Sequence, residues 1–116
     1  MAEWAIMQEK RKNIRYRAQA RASIAGVFES GGLLKDISIT GCCIECTMRV
    51  NIRPESQYTI QISPDQSSEI GDFDLLVEAR WVRPRGDSCE MGFMIIESPK
   101  GKQFQRYVDY LAWRAE

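Results

Sequence analysis

The chain reads as mainly β: six short antiparallel strands closed into a small barrel, followed by one C-terminal α-helix. Three observations predict this. Apolar residues recur with period two through most of the chain, glycine and proline clusters cut that pattern into strand-sized pieces, and beyond Pro99 the period changes to 3.6. At 116 residues this is one domain with room for a modest core, and its 44% apolar and 28% charged content is ordinary for a globular protein. Closure of the sheet is expected because it removes exposed strand edges.

The elements follow in order. Residues 1–9 form an N-terminal arm, and 10–15 a basic segment without a regular apolar pattern. In the first strand Ala18, Ala20, Ala22 and Ile24 point one way, and Arg17, Gln19, Arg21 and Ser23 the other. Gly26 and the Ser30-Gly31-Gly32 cluster mark a turn region, after which Leu33 to Ile37 makes the second strand. Cys42, Ile44 and Cys46 alternate on a third, which ends by Pro54, and Tyr58, Ile60 and Ile62 on a fourth. Phe73 to Val82 is a long fifth strand, Arg83-Pro84-Arg85-Gly86-Asp87 a turn by composition, and Cys89 to Ile96 the sixth strand. Ser98 suits a helix cap with Pro99 at the first helical position. Phe104, Tyr107, Val108, Leu111 and Ala115 then fall on one apolar face, expected to cover the mouth or edge of the sheet. The domain so read spans 10–116: arginine segment 10–15, barrel 16–97 and helix 98–115.

Charge is balanced, with 16 basic and 16 acidic residues, so no global field draws nucleic acid or a membrane surface. The distribution is uneven: Lys10 to Arg21 holds basic residues and no acidic one, whereas Glu55 to Glu78 is acidic. No stretch has the apolar length of a membrane span, and the opening residues do not resemble a secretory signal. The four cysteines lack disulfide-framework spacing, which points to reduced thiols in a cytoplasm. Alternation sets Cys42 and Cys46 on one face and Cys43 on the other, which splits a would-be metal cage and favours core packing.

Enzymatic chemistry is disfavoured. The chain has no histidine, hence neither the usual general base nor the commonest metal ligand, and no glycine-rich phosphate loop ending in lysine. What stands out is a pair of elements. Arg11 and Arg15 sit four apart in the basic segment, where a loop lets both planar guanidinium forks converge on a phosphate or a guanine edge. Arg17 and Arg21 have the same spacing, but strand phase puts them on a solvated sheet face. The second element is Asp36-Ile37-Ser38-Ile39-Thr40-Gly41. On a strand the Asp36 carboxylate and Ser38 hydroxyl would share a face, and Gly41 permits a positive backbone angle or a close approach. A strand end followed by a tight turn uses the same residue types. The conjunction of the two elements favours a small anionic ligand with polar ring edges.

These residues resemble the PilZ domain family, whose hallmarks are RxxxR and [D/N]xSxxG. The resemblance extends through Ala79-Arg80-Trp81-Val82-Arg83, Gly86 and Met91-Gly92-Phe93, which are similar to the family's late hairpin, and so covers most of the chain. It implies a bacterial six-stranded barrel that binds cyclic di-GMP without catalysis and needs no cofactor. By position, Arg11 and Arg15 would grip phosphate and guanine, Asp36, Ser38 and Gly41 would lie under a guanine, and Lys10 would add charge. Trp81 is compatible with a stacking face, a core position or a surface position alike. The implied partners are cyclic di-GMP and an unidentified downstream protein, with no nucleic acid and no membrane insertion, for a monomer or weak homodimer. The alternative is a protein-interaction adaptor on the same scaffold that does not bind nucleotide.

Overall fold

The structure is a computed structural model and describes residues 14–99 and 101–115. Six strands, β1 (Tyr16–Ile24), β2 (Phe28–Ile37), β3 (Gly41–Cys46), β4 (Gln57–Ser63), β5 (Phe73–Arg85) and β6 (Ser88–Glu97), precede a helix, α1 (Gly101–Arg114). Every neighbouring pair is antiparallel, in the closed order β1-β2-β3-β6-β5-β4, and the barrel shuts where Arg21, Ala22 and Ser23 pair with Ser63, Ile62 and Gln61. The inward set of each strand makes the core: Ala20, Leu34, Ile44, Ile60, Ile62, Leu75, Val77 and Met91 are fully buried. The β1 alternation is as expected, with Ala18, Ala20, Ala22 and Ile24 buried and Arg17, Gln19 and Arg21 exposed. No described helix is long and apolar enough to cross a membrane.

Three boundaries differ from the sequence reading. The Ser30-Gly31-Gly32 cluster lies inside β2 rather than in a turn; the turn is Ala25-Gly26-Val27, where Gly26 has φ +81° and the Val27 N–H reaches the Ile24 carbonyl at 3.0 Å. The glycines absorb a β-bulge: β2 advances from Phe28 to Gly32 while its partner advances only from Ile24 to Ala22. A side chain at Gly32 would strike the Ala22 carbonyl and the Phe28 ring, so glycine here serves close packing.

Second, β5 continues through Pro84 to Arg85, and only Gly86-Asp87 turns. Proline is tolerated because β4 pairs with β5 only as far as Glu78, leaving the end of β5 an edge with β6 alone beside it. Third, the helix bounds are Gly101–Arg114, not 98–115. The Ser98 hydroxyl does not cap it but donates to the Asp74 carbonyl at 2.8 Å, and Ala115 is exposed. The helix otherwise packs as expected: Tyr107, Val108 and Leu111 are buried, and the Phe104 and Tyr107 rings lie 6.0 and 5.9 Å from Phe73 at the start of β5.

Candidate functional site

On the outside of the barrel, β3, β6 and the far half of β5 floor a cleft of about 530 Å³, and residue 15 closes it from the other side. Arg15 precedes β1, and its Nη1 donates to Asp36 Oδ1 at 2.7 Å, a charge-assisted bond at a half-exposed rim. Asp36 reaches that position through a bulge. From the buried Leu34, strict alternation would turn Asp36 inward; the extra residue in β2 opposite β3 turns it outward and sends Ile37 into the core. Gly41 opens β3 directly beneath. A side chain there would lie 2.8 Å from the Phe93 carbonyl and 3.3 Å from Arg15 Nη2, so its absence lets β6 and the arginine close in. Of the two roles available to Gly41, the structure shows the close approach: its φ is not positive.

Ser38 is placed differently. It lies just beyond β2, only 1% exposed, and does not share a face with Asp36. Its Oγ accepts the Thr40 and Gly41 N–H groups, both at 3.1 Å, while its own N–H donates to the Gly41 carbonyl at 2.8 Å. The hydroxyl is thus committed to the β2–β3 turn and does not line the cleft. Lys10 and Arg11, with the arm at 1–9, lie outside the described residues.

Sequence reasoning left Trp81 open between three roles; the structure sets it at the outer surface, 38% exposed, in the wall of the cleft. Its indole rests on bare backbone, since a Cβ on Gly92 would fall 2.2 Å from the ring. The Arg83 guanidinium sits 5.1 Å from the ring centroid, a cation–π contact. A further bulge, between Ala79 and Trp81 of β5, exposes Arg80 and Trp81 together. Arg80 and Arg83 are cleft residues that the motifs did not single out. The signal available for Arg83 was its two-residue spacing from Trp81; none marked the bulge that exposes Arg80.

Charge around the site is ordered by Glu90, which is nearly buried. Lys35 Nζ donates to it at 2.9 Å, and Arg83 and Arg85 stand at 3.8 and 3.9 Å. The bond from Lys35 holds the Glu90 carboxyl below its ordinary value, and Glu90 in turn raises Lys35. All four cysteines are free. Cys42 and Cys46 join the interior core as alternation predicts, whereas Cys43 does not. Burial pushes the Cys42 and Cys43 thiols up to about 12 and about 11, so both stay protonated near neutrality and are poor nucleophiles. Among the described residues no acidic or cysteine group is arranged to hold a metal.

The family model for the PilZ domain matches residues 7–113. The chain belongs to the PilZ domain family. PilZ domains are binding and adaptor modules associated with cyclic di-GMP. Among solved structures, the Bacillus subtilis inhibitor of motility (MotI/DgrA) superposes with a TM-score of 0.68 at 18% identity, covering 88% of this chain and 49% of that one. At that identity the likeness is one of fold, and this PilZ chain spans about half the length of that protein. No curated protein sequence matches it.

Proposed function

We propose that this chain is a bacterial, cytoplasmic cyclic di-GMP receptor and adaptor whose ligand occupies the Arg15 cleft. The observation that carries the reading is convergence: Arg15, Asp36, Gly41 and Trp81, distant in sequence, line one cleft. Arg15, with Arg11 from the preceding segment, takes phosphate and guanine edges through bidentate forks. Asp36 accepts from the guanine N1/N2 edge, and Gly41 leaves the approach open. Trp81 offers a stacking face, Lys10 adds charge, and Ser38 acts by holding the turn that presents Gly41. Ligand binding gathers Arg11 and Arg15 and repositions the arm at 1–9, changing a surface that a downstream protein reads. The driving force is the ligand's differential affinity for the two arm positions.

Calorimetry with the purified chain and cyclic di-GMP tests this. The expected result is saturable heat together with altered hydrogen exchange over 1–15. Saturating ligand with no heat and no change in exchange overturns it. A second reading, the non-nucleotide adaptor, draws on the Arg15–Asp36 ion pair at 2.7 Å, in which the two motif side chains satisfy each other. A silent titration would favour that second reading.

A further inference from the structure

A second cleft, of about 660 Å³, adjoins the first and shares only Asp36 with it. Arg17 and Gln19 of β1, Leu33 and Lys35 of β2 and Arg114 at the end of α1 line it. Asp36 is the only carboxylate among the described lining residues, and Arg15 already neutralises it at 2.7 Å. Lys35 is spent on Glu90, which leaves the Arg17 and Arg114 guanidinium groups to set the sign of the cleft. Arg114 is held in place rather than trailing in solvent: its Nη2 donates to the Arg17 carbonyl at 3.2 Å, and its Cζ lies 5.4 Å from the Tyr110 ring. Tyr110 in turn contacts Trp113, with ring centroids 6.3 Å apart.

Two large apolar side chains are exposed on the elements that carry these cations, Leu33 in the cleft lining and Trp113 next to Arg114 in α1. Trp113 is 71% exposed and Leu33 41% exposed. Nothing in the core needs Trp113 there: the face of α1 that packs inward is Tyr107, Val108 and Leu111. The end of α1 thus groups Tyr110, Trp113 and Arg114, and Trp, Tyr and Arg are the residue types that dominate protein interfaces. The charge is local, two cations beside apolar anchors on a chain of zero net charge, and this fits a peptide better than a polyphosphate backbone, which needs an extended basic track. We propose that this face docks a partner protein through a segment in which carboxylates flank an apolar side chain. The carboxylates would pair with Arg17 and Arg114, and the apolar side chain would seat against Leu33, with the exposed Trp113 of α1 as a further apolar contact. The inference rests on Arg17 and Arg114, neither of which lines the Arg15 cleft.

The test is a nuclear magnetic resonance titration of the full chain with a short synthetic peptide of alternating Glu and Leu. A counterpart that keeps each Leu and has Lys in place of each Glu, and a short oligothymidylate, serve as controls. Saturable shifts at Arg17, Leu33 and the Trp113 indole are expected with the acidic peptide alone, weakening as salt rises. Arg17→Glu and Arg114→Glu should each weaken binding about tenfold or more, a change of about 1.4 kcal/mol. Should Arg114→Glu also lower the melting temperature through its lost bond to Arg17, then Arg17→Glu and Leu33→Ser carry the test. Cyclic di-GMP heats measured on Arg17→Glu should match the parent chain, which separates failure here from failure of the ligand reading. The proposal is overturned if the shifts are absent or fall at Trp81, if the basic peptide or the oligonucleotide binds as well, or if Arg17→Glu leaves affinity unchanged.

Discussion

Arg15 and Arg17 are two residues apart, and the clefts they serve meet at Asp36, but the two clefts are built on different principles. The Arg15 cleft is made by backbone closeness. Gly41 and Gly92 let β6, an arginine and an indole approach to distances that any side chain would forbid. The Arg17 cleft is made by reach: long cations from β1, β2 and α1 converge over an outer face with no glycine in its lining. A surface held by apposed backbone is preorganised and intolerant of added atoms. One held by exposed side chains adapts, and its strength lies in charge and apolar anchors. Substitutions should therefore act on the two in different currencies, steric on one side and electrostatic on the other.

The largest effect is expected from Gly92→Val, which puts branched carbons where the Trp81 indole lies 2.2 Å from an added Cβ. Overpacking of this kind destabilises by about 1–3 kcal/mol, and eviction of the indole should remove cyclic di-GMP binding from calorimetry. A stable variant with intact ligand heat would show that the Trp81 seat is not part of the site. Arg15→Ala comes next, weakening ligand binding by about 1–3 kcal/mol if its fork is bidentate to guanine. Arg21→Ala should change it little; the opposite ranking by calorimetry would move the arginine motif onto the strand face.

Trp81→Ala separates stacking from support. A base–aromatic contact is worth about 1–3 kcal/mol, so affinity should fall while the melting temperature of this half-exposed position holds. A fall in melting temperature alone would make Trp81 a packing residue. The smallest effect is at Glu90→Gln, read as stability against pH. The folded Glu90 carboxyl titrates below its ordinary 4.5, so its contribution is complete above pH 4.5 and disappears as pH falls through the lowered value. The parent chain should exceed Glu90→Gln in stability near neutrality, and denaturant midpoints of the two should converge in acid. Curves that stay parallel down to low pH would assign the loss to packing instead of the Lys35 pair.

Local rules were enough for much of the barrel. The alternation of Ala18 to Ile24 predicts β1 and leaves Arg17 and Arg21 outside, because a half-buried strand needs one apolar edge and a period of two supplies it. The helix face at Tyr107, Val108 and Leu111 was equally legible. Misreadings cluster where a residue type has two uses. Ser30-Gly31-Gly32 has turn composition but serves a bulge; Pro84 reads as a stop but sits on an edge that lacks a neighbour. Ser98 looks like a cap, yet its hydroxyl finds a carbonyl on β5.

The site divides the same way. Arg15, Asp36, Ser38 and Gly41 were visible as spaced motifs, but spacing did not say that Ser38 would turn inward to hold the β2–β3 turn, nor that Arg80 and Arg83 would join the cleft. Periodicity and composition therefore specified the strand count, the inward faces, the helix and the residue types of the candidate site, since these follow from interactions within a few residues. The orientation of Asp36, the exposure of Arg80 with Trp81 and the meeting of Arg17 with Arg114 were decided only by the closed barrel. Each depends on a bulge or a strand pairing between distant segments, where one extra residue on one strand reverses which side a side chain faces.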